Sequence, residues 1–86
     1  MVVPAVHAER IKHDVPACIS EAAWDALGDA AAQNDLDGMQ QLHRDRQCTW
    51  LRSGDQVTVV DLGFETTVVR FQGVQLWTQT HAIDLN

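Results

Sequence analysis

Between positions 48 and 78 the chain reads CTWLRSGDQVTVVDLGFETTVVRFQGVQLWT, and this stretch constrains the fold more than any other. Val and Thr dominate it, and β-branched residues favour the pleated backbone. Turn formers divide it at short intervals: Ser53-Gly54-Asp55 follows Trp50 and Leu51, Leu62-Gly63 follows Asp61, and Gln72-Gly73 leaves the two-residue gap of a tight hairpin. Strands are expected at 56–61, 64–71 and 74–78, with a shorter one opening near Cys48. The 74–78 strand would present an edge able to pair with a second copy. A few strands with a bare face are marginal in water, so another part of the chain has to cover them.

That cover is expected from two helices. Ser20 is a good N-cap, Glu21 places a negative charge in the first turn, and the alanines up to Ala32 are strong helix formers. Trp24, Leu27 and Ala31 fall at i, i+3 and i+7, which makes one face of a helix over 20–33 apolar. Asn34 suits a left-handed stop, and Asp35 caps a second helix over 36–46 with Leu36, Met39 and Leu42 on its inner stripe and His43 partly covering it. The short link makes the two an αα-hairpin. The preceding segment, 9–17, reads as an extended arm or an edge strand, and Pro16 discourages helix at Val15. The expected core takes in Trp24, Leu27, Met39, Leu42, Val57, Val59, Val68 and Phe71.

The chain has two cysteines, Cys18 just before the first helix and Cys48 just after the second. A helical hairpin returns its end near its start, which brings the two sulfurs together. A bridge there closes a loop of about 30 residues, worth roughly 3–4 kcal/mol in the chain-entropy model. Two buried thiols, a metal pair or a nucleophile are the alternatives. The small-residue run at the start, MVVPAVHA, resembles the tail of a secretory signal peptide. Residues 1–8 are therefore expected to be a leader remnant or a disordered tail, and 9–86 a single domain. Bridge and leader both point to the periplasm or beyond.

Catalytic and cofactor chemistry finds little purchase. The four histidines, His7, His13, His43 and His81, form no HxH, HxxxH or HExxH pattern, so no metal site is expected. A Cys48–His43 nucleophile is the one enzymatic reading, and a disulfide would consume it. The carboxylates read as caps and solvated faces, and no phosphate-binding or dinucleotide loop occurs. No cofactor and no enzymatic activity are expected. The net charge is −6, with acids interleaved among six Lys and Arg, which argues against nucleic acid. No apolar run approaches the roughly 18 residues a membrane span needs. What remains is aromatic surface. Trp50 and Trp77, on the first and last strands of the sheet, read first as core, and in the alternative they join Phe64 and Arg52 as a candidate binding patch.

The order Cys18, AAWDAL, DLDGMQQL, Cys48, an apolar pair, Gly54-Asp55, VTVV, VVRF and LWT resembles small, exported, uncharacterised bacterial proteins. In these a disulfide-closed helical hairpin precedes an SH3-like β-barrel. The resemblance implies an α+β fold: an N-terminal αα-hairpin packed on a small antiparallel, SH3-like sheet or partial barrel. It carries over no catalytic or ligand residue. The expected function is that of a non-enzymatic exported binding or accessory module, monomeric or weakly dimeric, for a peptide or other cell-envelope ligand. The alternative is a small secreted inhibitor or effector that blocks a partner enzyme through the Leu62-Gly63-Phe64 loop.

Overall fold

The computed structural model describes residues 8–85. The leader expectation for residues 1–8 lies outside the described residues except at Ala8, which opens the first strand. The elements are β1 (Ala8–Ile11), β2 (Val15–Cys18), α1 (Glu21–Ala32), α2 (Leu36–Arg44), β3 (Cys48–Leu51), β4 (Gln56–Asp61), β5 (Thr66–Phe71), β6 (Val74–Gln79), a single 3-10 turn (Thr80–Ala82) and β7 (Ile83–Asp84). The fold is α+β: a helical hairpin on an open, seven-stranded antiparallel sheet of order β3-β2-β6-β5-β4-β1-β7.

Local chemistry sets the helix ends. The Ala23 amide donates to Ser20 Oγ at 3.0 Å, and the Gly38 amide donates to Asp35 Oδ1 at 2.9 Å. Asn34 and Arg46 end the two helices at φ of 53° and 60°, and Gln72 and Gly73, at 51° and 81°, form the tight β5–β6 turn.

Three long strands each bend at one level. The run from Ala8 to Cys18 bends at 12–14, the run from Cys48 to Asp61 at 52–55, and the run from Val74 to Asp84 at the 3-10 turn. The first is flanked by the second on one edge, through β1–β4 and β2–β3, and by the third on the other, through β1–β7 and β2–β6. The bends curl the sheet around one core cluster that includes Ile11, Val15, Leu51, Val57, Val69, Leu76 and Ile83. A second cluster joins the hairpin to the outer face: Cys18, Cys48, Ala23 and Leu27, with Trp24, Met39 and Leu42 packed against it.

Three expectations are corrected. The 9–17 segment supplies two interior strands in place of an arm or edge. Pro16 is tolerated there because its pair with Trp50 on β3 is a non-bonded one and the β2–β6 ladder on its other side ends at Ala17–Thr78, and its carbonyl accepts from Thr78 Oγ1 at 2.9 Å. Nor is the 74–78 strand an edge, since β6 lies between β5 and β2. Finally, Val68 is outside both core clusters. It sits opposite Trp77 on the outer face, while Thr67 and Val69 take the inward places. Of the other expected core residues, Leu27 and Val57 are buried, and Val59 and Phe71 pack partly buried against the inner cluster.

Candidate functional site

The sheet register builds the site. Cys48, Cys18, Trp77 and Val68 form one row across β3, β2, β6 and β5. The next row on that face starts Trp50, Pro16, and by the same register continues to Gln79 and Thr66. Alternation along each strand puts both rows on the face the helices cover. In the first row Cys18 and Cys48 are disulfide-bonded and buried, with Cα atoms 3.9 Å apart, beneath Ala23 and Leu27. The bridge holds the hairpin's two ends on adjacent strands.

Over the second row the hairpin stands clear of the sheet. A half-open cleft of about 420 Å³ lies between them, with Pro16, Trp50 and Gln79 as its floor. Its α1 wall is Trp24, Leu27, Gly28 and Ala31, and its α2 wall includes Leu36, Met39 and His43. The space exists because α1 contributes small residues there: a Cβ added at Gly28 would meet nothing within 4 Å. The Trp50 side chain, 48% exposed, is stacked on the His43 ring with centroids 5.5 Å apart and planes 2° from parallel. Trp24 is fixed from the sheet side, its Nε1–H donating to Thr66 Oγ1 at 3.2 Å. Gln40, Gln79 and His43 are the polar groups of an otherwise apolar lining. An apolar concavity of this size with a few polar groups at its margin is suited to holding a small apolar ligand or side chain.

The four expected patch residues do not share a cleft. Trp50 lines the one just described. Trp77 lies on the same sheet face but borders a smaller cavity of about 230 Å³ with Glu21, Asp25 and Asp61. Arg52 stands at the strand bend, where it pairs with Asp14 at 3.2 Å. The amide of Ser53 and the guanidinium of Arg52 both donate to Asp14 and hold its carboxyl below the usual carboxylate range. Phe64, 94% exposed, sits on the β4–β5 loop. That loop is braced from below: Thr80 Oγ1 donates to the Gly63 carbonyl at 2.9 Å and lies 2.6 Å from Thr67 Oγ1, and the Gly63 amide donates to Thr67 Oγ1 at 3.3 Å.

Gly28, Gln40 and Gln79 are site residues that sequence reasoning did not single out, Pro16 was read only as a helix breaker, and Leu36, expected on the buried stripe of α2, is 64% exposed at the cleft wall. The one sequence signal is for Gly28, in the run of small residues on α1 beside its apolar stripe. The Cys48–His43 nucleophile has no thiol to use, since both cysteines are in the bridge and His43 is stacked on Trp50. Among the described residues no three His, Cys, Asp or Glu side chains gather as a metal site, and no helix is long and apolar enough to cross a membrane. Comparison of the chain with family models, curated proteins and solved structures finds no match.

Proposed function

We propose that this protein is a non-enzymatic binding module, exported to the periplasm or beyond, that holds an apolar peptide or cell-envelope ligand in the cleft between hairpin and sheet. The observation that carries the reading is the open cleft itself. Trp24, Leu27, Met39 and Trp50 converge on it, yet the chain leaves it unfilled. The disulfide supports export, because such bonds persist in oxidising compartments. The three bent strands that curl around one core support the SH3-like, partial-barrel reading and its kinship with exported hairpin-plus-barrel proteins. That likeness informs the fold, and the cleft informs the function.

Gly28→Leu is the test, because it puts a side chain into the cleft and replaces a poor helix former. Helix propensity alone predicts a gain of about 0.5–1 kcal/mol in stability. The wild-type chain should enhance the fluorescence of 1-anilinonaphthalene-8-sulfonate and retain a ligand from periplasmic extract, and Gly28→Leu should do neither while melting no lower. Equal dye binding and equal retention by the two proteins would sink the reading.

One observation favours a second reading, the secreted inhibitor. Phe64 projects almost wholly into solvent from a loop that Thr67 and Thr80 hold in place. A braced, exposed aromatic residue matches the anchors that dominate protein interfaces. Phe64→Ala should leave melting unchanged and abolish capture of a partner enzyme that Gly28→Leu still captures.

A further inference from the structure

The cleft lies beside the open edge of β3, and the register shows what that edge presents. The Ile19 amide donates to the Gln47 carbonyl at 2.8 Å, so positions 19 and 47 form a hydrogen-bonded pair. Antiparallel pairs alternate, which makes 18–48 a non-bonded pair, 17–49 a bonded one and 16–50 non-bonded. Pro16, with no amide hydrogen, fits that assignment. The N–H and C=O of Trp50 therefore point away from β2. Among the described residues β3 pairs with β2 alone, and no group bonds the Trp50 amide or carbonyl.

Clefts flank this edge on both faces. On the helix side is the one floored by Trp50. On the other, Thr49, Phe71, Val74 and Leu76 line a second concavity of about 370 Å³. Arg46 and His43 stand at its margin, no carboxylate lines it, and Arg46 makes no ion pair among the described residues. A strand laid against β3 would place the residue opposite Trp50 in the helix-side cleft and the next residue, opposite Thr49, in the second one. A second copy of β3 would offer that cleft Thr49 in the Thr49–Thr49 register, a short polar side chain that leaves it empty, or Leu51 in the Trp50–Trp50 register, a side chain already buried in its own core.

We infer that the ligand is an extended peptide segment that adds to the β3 edge, with adjacent apolar residues in the two clefts and an acidic residue beside Arg46. The inference rests on the cleft reading and specifies its ligand class. The unpaired backbone supplies affinity and the two clefts supply sequence preference, as in other cases of strand addition.

The probe is a phage-displayed random heptapeptide library selected on the full, oxidised chain. Enriched sequences should carry two adjacent apolar residues with Asp or Glu within two positions. In a synthetic peptide of that sequence, N-methylation of the residue opposite Trp50 should weaken binding about tenfold or more, and methylation of its neighbours should matter much less. Amide exchange at Trp50 should slow on binding, and Arg46→Gln should erase the acidic preference. Helically spaced anchors, indifference to N-methylation or failure to enrich any sequence would overturn the edge inference. So would a chain that sediments as a dimer with its Trp50 amide already protected. If dye binding is still lost in Gly28→Leu after such a result, the cleft reading stands and only the strand addition falls. If dye binding is indifferent to Gly28→Leu, both fall.

Discussion

Removing the Cys18–Cys48 bridge is the perturbation whose size follows most directly from the fold. The bridge spans a sequence separation of 30 and closes a loop made of α1, α2 and their connections. The chain-entropy model assigns a loop of that length roughly 3.5 kcal/mol at room temperature. A chain of this size has in total only about 4–13 kcal/mol to lose. Cys18→Ala with Cys48→Ala should therefore lower the melting temperature by about 15–25 °C, at the 4–8 °C per kcal/mol expected of a domain this small. Both half-cystines are buried against Ala23 and Leu27, so the alanines also vacate a little space under α1, which adds to the loss. Reduction of the wild-type chain separates the two effects, since it opens the loop and keeps the sulfur atoms.

The assay is thermal and urea unfolding followed by circular dichroism on oxidised, reduced and double-alanine protein. If the stabilisation comes from a constrained unfolded chain, the urea m-value rises when the bridge is opened, because the unfolded state then exposes more surface. A melting shift under about 5 °C would refute the loop-closure argument. An unchanged m-value beside a large shift would move the effect to native packing.

Three further outcomes are expected. Trp24→Phe keeps the ring in the second cluster but deletes its hydrogen bond to Thr66, and should cost about 0.5–1.5 kcal/mol in urea unfolding. Gly63→Ala brings a Cβ onto the Thr66 carbonyl oxygen, a backbone atom that cannot swing aside, and should destabilise by about 1–3 kcal/mol. Asp14 has its carboxyl pKa lowered by the Ser53 amide and by Arg52, so folding favours its charged form. Its contribution is therefore present above the ordinary carboxylate pKa and disappears as pH falls through the lowered one. Asp14→Asn should flatten that acid limb of a plot of urea midpoint against pH, and an unaltered limb would remove Asp14 from the account.

The helices were legible because their signals are local. Ser20 and Asp35 are caps whose side chains do bond the backbone three residues on, and Asn34 does take the left-handed backbone. The bridge was legible from chain order alone. The two strands of 8–18 were not, because the bend at 12–14 breaks the alternation. Ile11, Val15 and Ala17 keep one inward phase, but exposed His13 takes the inward place between Ile11 and Val15, and Pro16 masks strand between Val15 and Cys18. In TTVV of β5 every residue is a β-former, so composition cannot say which two face inward. Thr67, fully buried, wins its place through the hydroxyl bridge to Thr80, a partner 13 residues away. The cleft was hidden for another reason. It is made by what Gly28 and Ala31 lack, and small residues in a helix read as propensity before they read as space.

The disulfide row and the cleft row are neighbours on one sheet face, and this couples stability to binding. α2 buries no residue fully. It reaches the second cluster through the half-buried Met39 and Leu42 and touches the sheet through the His43–Trp50 stack. The bridge therefore does much of the positioning that α2 cannot do by burial. With the bridge opened, the hairpin should sample undocked positions in which the cleft has no α2 wall, and apparent affinity falls in proportion to the docked fraction. In the double-alanine variant, at a temperature where the sheet remains folded, dye affinity should drop about three- to tenfold, which corresponds to a docked fraction of roughly 0.1–0.3. Over the same comparison, hydrogen exchange should speed up at α2 amides and stay slow in β5 and β6, the strands that hold Val69 and Leu76 in the core. Unchanged dye affinity together with unchanged α2 protection would mean that Met39, Leu42 and the ring stack hold the hairpin unaided, and the bridge would then serve stability alone.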